Sequence, residues 1–238
     1  MQRGKRYRAL REQIDRTREY PPGEAVSTVK SMQAAKFNEA VEVHIRLGVN
    51  VRHADQQVRG TMVLPHGLGR DVKVAVFAQG DKAREAETAG ADFIGGEDLA
   101  ERVQGGFTDF DVAIATQDLM PIVARLGRIL GPQGKMPNPK VGTVTDDIGK
   151  AVEQAKAGRV EYRTDRSGIV HLVIGRTEFD ENRLLENYAA VIEEIVRAKP
   201  AVAKGRYIRS VTLATTMGPG IRVDPTKTKD ITEERVAA

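Results

Sequence analysis

The spacing of apolar residues changes twice along the chain, and this change limits the folds that the chain can adopt. Near both ends, apolar residues alternate with charged ones, as they do from Val41 to Leu47. A period of two is typical of strands with one buried face. Between roughly Gly67 and Gly158, apolar strands with few charges alternate with helical segments. That order predicts a mainly parallel sheet covered by helices.

We therefore predict two domains, one inserted into an exposed loop of the other. Residues 1–66 and 159–238 form an α+β domain from both chain ends, and residues 67–158 form an inserted α/β domain with a Rossmann-like, mainly parallel sheet. In the terminal segments, helices are predicted over residues 5–19, 24–35 and 180–199, and strands over 41–47, 58–64, 160–163, 169–174 and 210–216. In the middle, strands are predicted over 72–78, 92–96 and 111–115, and helices over 81–89, 98–103, 118–130 and 147–158.

Charge is distributed unevenly between these regions. Residues 67–158 contain 11 Lys and Arg against 14 Asp and Glu, a net charge of −3, whereas the rest contains 26 against 19, a net charge of +7. Such asymmetry favours a polyanion as the partner of the basic part. A solvated basic surface without a partner is the alternative.

The composition excludes several kinds of site. The chain has no Cys, which excludes disulfides, Cys-ligated zinc and iron–sulfur clusters. No apolar run approaches the roughly 18 residues needed to span a bilayer. The start, Met1–Arg8, lacks the apolar stretch of a secretory signal. We expect a cytoplasmic protein without a membrane partner.

No enzyme motif is complete in this sequence. The segment from Gly131 to Met136 has the wrong spacing for a phosphate-binding P-loop and ends in Met. None of the four Ser lies in a Gly-x-Ser-x-Gly elbow, and no two of the four His have metal-ligand spacing on a helix. We expect no catalytic residues, no metal and no cofactor. An α/β enzyme whose middle domain holds a nucleotide remains the alternative.

Four segments suggest contacts with RNA instead. Phe37 follows Lys36 just before a strand, and its ring either joins the core or is presented to a base or sugar. The tip Thr164–Gly168 is either a plain turn or a source of donors for phosphate and ribose oxygens. The end Thr215–Gly220 combines two hydroxyls, a flexible Met and exposed glycine backbone, which suits the wide minor groove of RNA. The long Gly/Pro segment Gly127–Lys140 is cationic, and loops of that length are usually functional or disordered.

These segments, in this order, resemble the L-one family of bacterial large-subunit ribosomal proteins. The resemblance covers residues 4 to 224, and each motif alone is weak whereas all of them in register are specific. The motifs that carry it are Gly4–Tyr7, Ala35–Phe37, Asp55–Thr61, Leu64–Gly69, Ala89–Asp92, Leu126–Pro132, Met136–Lys140, Ala157–Arg159 and Thr215–Pro219. This chain has Ala40 where relatives often carry Thr, so that hydroxyl is missing here.

The resemblance implies a two-domain protein that binds the mobile stalk of large-subunit ribosomal RNA beside the exit site for deacylated transfer RNA. Many members also bind a similar structure in their own messenger RNA and repress its translation. The ribosomal-RNA site implied for this chain consists of Lys36, Phe37, Arg163, Thr164, Asp165, Arg166, Ser167, Gly168, His171, Ser210, Thr215, Thr216, Met217 and Gly218. A transient contact with transfer RNA is expected at Arg128, Lys135 and Lys140, and the free protein is expected to be a monomer. A regulator that acts chiefly as a free repressor of messenger RNA is a second alternative.

Overall fold

The computed structural model describes residues 4–33 and 35–227. The chain divides into two compact units: one ends at Gly69 and resumes at Val160, and the other is Arg70–Arg159. The helices are α1 (Lys5–Glu12), α2 (Pro22–Ser31), α3 (Asp81–Thr88), α4 (Glu97–Gln104), α5 (Met120–Ala124), α6 (Gly127–Leu130), α7 (Ile148–Lys156) and α8 (Glu181–Arg197). The strands are β1 (Ala40–Leu47), β2 (Arg59–Val63), β3 (Val74–Phe77), β4 (Phe93–Gly95), β5 (Val112–Ala115), β6 (Arg159–Arg163), β7 (Ile169–Arg176), β8 (Ile208–Thr215) and β9 (Ile221–Val223).

The terminal unit is built around a four-stranded antiparallel sheet in the order β7-β1-β8-β9. Alternate residues of β1, such as Val43 and Ile45, are fully buried in a core that also contains Leu184, Tyr188 and Ile192 of α8. Each such side chain stabilises the fold by about 1.5–3 kcal/mol when it leaves water. The helices α2 and α8 supply this cover, so the opposite face of the sheet keeps its polar side chains available.

Residues 160–163 and 169–174 were predicted to pair with each other as a hairpin, and this prediction is wrong for the strands themselves. β6 pairs with β2 in a separate two-stranded sheet, whereas β7 pairs with β1. Only a single antiparallel bridge, Thr164 with Val170, joins the two arms at the tip. The reason is tertiary, because Tyr162 is buried and packs against Gly60 of β2, where an added Cβ would lie 2.5 Å from the phenol oxygen. The predicted turn at the tip is present.

The predicted helix over residues 5–19 is also too long. It ends at Glu12, and the carboxylate of Asp15 accepts hydrogen bonds from the backbone N–H and hydroxyl of Thr17, at 2.9 and 2.6 Å. This local turn competes with further helix. Tyr20 then forms a parallel bridge with Val223 in the unpredicted strand β9.

The middle unit contains a three-stranded parallel sheet in the order β4-β3-β5, which confirms the predicted parallel sheet. Alternate residues of β3 enter two clusters: Val74 and Val76 pack with residues of α3 and α7, and Ala75 and Phe77 pack with residues of α4, α5 and α6. The predicted helix over residues 118–130 is divided into α5 and α6 by tighter bonds, in which Arg125 N–H donates to Ile122 O and Leu126 N–H to Val123 O. Within the described residues, no helix is long and apolar enough to cross a membrane.

Candidate nucleic-acid interface

The side chain of Glu39 holds two of the predicted RNA-contacting segments together. Glu39 is fully buried, and its two carboxylate oxygens accept separate backbone hydrogen bonds, from Ala35 N–H and from Met217 N–H, each at 2.9 Å. Ala35 lies four residues before Glu39, whereas Met217 lies 178 residues after it. Hydrogen bonds to an ionised acceptor are among the stronger ones in proteins. One carboxylate therefore positions the segment before β1 against the segment after β8.

A second set of bonds continues the pairing of β1 and β8 beyond the sheet. Thr216 N–H donates to Ala40 O at 3.1 Å, and Ala40 N–H donates to the Thr216 hydroxyl oxygen at 3.1 Å. Gly218 N–H donates to Thr215 O at 3.2 Å and turns the chain away from the strand. Lys36 and Phe37 precede the central strand β1, and Thr216–Gly218 follow the central strand β8. We call these five residues, at one end of the two central strands, the sheet edge.

Two large apolar side chains are exposed at the sheet edge. Phe37 is 52% exposed and Met217 is 58% exposed, although the backbone around both is fixed by hydrogen bonds. The alternative that Phe37 belongs to the core is therefore wrong. Lys36 is exposed beside it. The arrangement offers an aromatic ring, a flexible thioether and a cation on one surface.

Thr215 departs from its predicted role. Its side chain is 4% exposed, and its hydroxyl faces Gly218, where an added Cβ would come within 2.3 Å of that oxygen. The hydroxyl is buried beneath the turn without a hydrogen-bond partner among the described residues, so it is not available to a ligand. Glycine is needed at position 218 because any side chain would displace Thr215.

The tip Thr164–Gly168 is a turn closed by one carboxylate. Asp165 accepts hydrogen bonds from Ser167 N–H at 2.8 Å and Ile169 N–H at 2.7 Å. Both bonds lower the pKa of Asp165, and the bond from Ile169 N–H has the larger effect. Gly168 is buried, contrary to its predicted contact role, and its carbonyl accepts from Leu47 N–H at 2.8 Å. Arg163, Arg166 and Ser167 are exposed, and Thr164 is half-buried.

Between the tip and the sheet edge lies the uncovered face of the large sheet. His44 of β1 stands opposite His171 of β7 and Thr212 of β8, and Arg46 stands opposite Ser210. Sequence reasoning included His171 and Ser210 in the site but missed His44, Arg46, Thr212 and Arg222, which is paired with Thr212. The signal for His44 and Arg46 was present, because they alternate with buried Val43 and Ile45 and must face the other way.

The two histidines share this face at hydrogen-bond distance. The Nδ1 atoms of His44 and His171 are 2.8 Å apart, so one ring donates and the other accepts. Burial, and then the neighbouring His171, lower the pKa of His44, while Glu42 acts in the opposite direction. The pair therefore offers polar ring edges to a ligand. Among the described residues, no cluster of three or more His, Asp and Glu could hold a metal ion.

The cations proposed to contact transfer RNA lie in the middle unit. Arg128 is exposed on α6. The side chain of Lys135 contacts residues of its own unit. Its ammonium donates to Thr108 O at 2.9 Å and lies 5.4 Å from the centre of the Phe110 ring. This internal role makes Lys135 a weaker candidate than the sequence predicted. The side chain of Lys140 lies outside the described part of the chain.

Replacement of Glu39 by Gln is expected to destabilise the terminal unit by about 1–3 kcal/mol. An amide supplies one acceptor oxygen, so its NH₂ group must face one of the two backbone donors. The free energy of unfolding in urea measures the change. Glu42→Gln is the matched control, because Glu42 lies on the open face of β1, three residues after Glu39. Equal stability of the two variants would contradict the role assigned to Glu39.

Comparison with known proteins identifies the family of the chain. A family model described as "Ribosomal protein L1p/L10e family" matches residues 29–219. The chain is also similar to the large ribosomal subunit protein uL1 of Thermobifida fusca (strain YX), at 57% identity over 230 residues, which are 97% of this chain and 98% of the relative. Both matches include the sheet edge, the tip and the middle unit. The chain therefore belongs to the ribosomal protein L1p/L10e family.

Proposed function

We propose that the chain is a component of the large ribosomal subunit in the cytoplasm, where it binds the stalk of large-subunit ribosomal RNA through the sheet edge, the tip and the open face between them. Its family and its uL1 relative support a ribosomal, structural role. Membership of this family confirms that the chain is not an enzyme, and it removes the nucleotide-binding enzyme as an alternative.

The observation that carries the proposal is the exposure of Phe37 and Met217 on a backbone fixed by Glu39. Exposed apolar side chains that are grouped on one surface, unlike single scattered ones, mark interaction sites. An aromatic ring stacks on bases or riboses, and the turn at Gly218 lets a ribose approach the backbone closely. The fixed backbone reduces the entropy lost on binding.

Phosphate attraction supplies the second part of the binding energy. Arg46, Arg166 and Arg222 are exposed on or beside the open face. Each phosphate neutralised by such a cation releases counterions, so the affinity should fall steeply with salt. Thr212, Ser210 and the histidine pair add hydrogen-bond donors and acceptors that suit ribose hydroxyls.

We further propose that the terminal unit, made from both chain ends, is the RNA-binding domain and that the middle unit is the inserted domain. The exposed Arg128 on the middle unit would touch transfer RNA transiently as it leaves the exit site. Binding of the terminal unit's RNA surface to a similar structure in the protein's own messenger RNA would repress translation. The free protein is proposed to be a monomer.

The test is crosslinking in purified large subunits, with sequencing of the attached RNA. We expect crosslinks from the sheet edge to the stalk of the large-subunit RNA. We also expect most of the protein to sediment with the large subunit in a sucrose gradient. Recovery mainly in the free fractions, crosslinked to messenger RNA, would favour the free repressor instead.

A further inference from the structure

A cleft lies beside the sheet edge and is formed by residues outside the proposed RNA site. It is lined by Tyr7, Arg11, Ile14, Arg16, Pro219 and Gly220, and its volume is about 360 Å³. All six residues belong to the terminal unit. Pro219 and Gly220 directly follow the sheet edge, so the cleft extends the same surface.

The position of Arg11 on its helix is unusual. Tyr7, Leu10, Arg11 and Ile14 recur at the spacing i, i+3, i+4, i+7, which places them on one face of α1 and the turn after it. Leu10 and Ile14 use this face to pack on the core of the unit. An apolar residue is normally expected at the remaining position. Arg11 instead leaves a cleft whose wall carries a cation.

The two arginines of the cleft have no ionic partner in the part of the chain that the structure describes. Within residues 4–33 and 35–227, neither Arg11 nor Arg16 lies within ion-pair distance of a carboxylate, and both are exposed. Asp15 is close in sequence, but Thr17 holds its carboxylate through two hydrogen bonds. Arg18 provides the contrast, because it pairs with Glu24 at 2.7 Å and lies over the Tyr20 ring.

Gly220 contributes only backbone to the cleft. It is exposed and packs so closely on β8 that an added Cβ would lie 2.8 Å from the Thr212 methyl group. Glycine is therefore required at position 220, and no side chain of that residue enters the cleft. Pockets of about 300–1,000 Å³ hold small molecules, so a volume of 360 Å³ accommodates one ribose-phosphate unit.

We propose that this cleft binds a backbone phosphate, with its ribose, of the RNA that contacts the sheet edge. Guanidinium groups hold phosphate oxygens through paired N–H donors, and two arginines line this cleft together with Tyr7. The inference rests on the proposed function and extends the RNA footprint to α1, beyond the sheet edge, the tip and the open face.

The test measures binding of the full-length chain to a transcript of the ribosomal RNA stalk at several KCl concentrations. Arg11→Gln and Arg16→Gln are each expected to weaken binding about 5–10-fold and to reduce the slope of log affinity against log salt by about 1. Arg18→Gln removes the same charge a few residues away and should change affinity less than about 2-fold. Cleft variants that behave like Arg18→Gln would overturn the proposal.

Two further measurements distinguish a free nucleotide in the cleft from RNA, and failure of the cleft proposal from failure of the proposed function. Adenosine monophosphate is titrated alone by calorimetry: if it binds, and the cleft variants abolish that binding but leave RNA affinity intact, the occupant is a free nucleotide and the RNA assignment is wrong. Wild-type protein that fails to bind the transcript would refute the proposed function itself. Wild-type binding that Met217→Asp destroys, with cleft variants matching the control, would refute the cleft alone.

Discussion

Met217→Asp is expected to weaken binding to the stalk RNA by about 100-fold, or about 2.7 kcal/mol, and to leave the melting temperature unchanged. The side chain is 58% exposed, so the folded protein loses little packing. The bound state loses an apolar contact and gains a carboxylate beside phosphates. The backbone N–H of residue 217 still donates to Glu39, so the edge keeps its shape. Fluorescence anisotropy and thermal unfolding monitored by circular dichroism measure the two quantities.

Val202→Asp is the matched control for this variant. Val202 is an apolar residue of the same unit, and its side chain is 51% exposed in the turn after α8. The substitution introduces the same charge on a similarly exposed side chain away from the sheet edge. We expect its effect on affinity to be small and limited to the change in net charge. Equal losses in the two variants would assign the effect to charge alone and remove Met217 from the site.

Excision of the middle unit is expected to leave a folded protein that binds RNA, whereas residues 70–159 alone should not bind it. Residues 1–69 joined to 160–238 by a short Gly/Ser linker retain the whole core and every residue of the sheet edge. The affinity should stay within about 10-fold of the full chain, because all the phosphate-contacting cations of the proposed site are kept. RNA binding by the middle fragment alone would reverse the domain assignment.

The boundary used for this excision decides how stable the fragment is. The sequence placed it after His66, but the fully buried Asn187 donates to Gly67 O at 3.1 Å and accepts from His66 N–H at 3.0 Å. Leu68 packs on the same core. A fragment joined after residue 66 loses the packing of Leu68, and a flexible linker residue must then supply the carbonyl that Asn187 needs, at a cost of about 1–3 kcal/mol. Urea unfolding of the two fragments should show that difference, and equal stability would contradict the role of the Gly67–Leu68 segment.

Local pattern predicted the elements whose formation depends on neighbouring residues. The period of two predicted β1 within one residue, and the strand–helix alternation predicted the parallel sheet of the middle unit. Two failures in the terminal unit occurred where a distant residue decided the outcome. β6 pairs with β2 because Tyr162 packs on Gly60, and β9 exists because Tyr20 and β8 flank it. No local signal in residues 160–176 or 221–223 could specify those partners.

The candidate site divides in the same way. The sequence by itself determined which residue types are present, namely Lys36, Phe37 and the Thr-Thr-Met-Gly segment, and its motifs identified the family. Only the tertiary structure decided which of them face solvent: Phe37 and Met217 are exposed, whereas Thr215 and Gly168 are buried. The physical reason is that exposure depends on contacts between segments far apart in the chain. Here a single buried carboxylate, that of Glu39, binds backbone donors at positions 35 and 217 and so fixes what the surface presents.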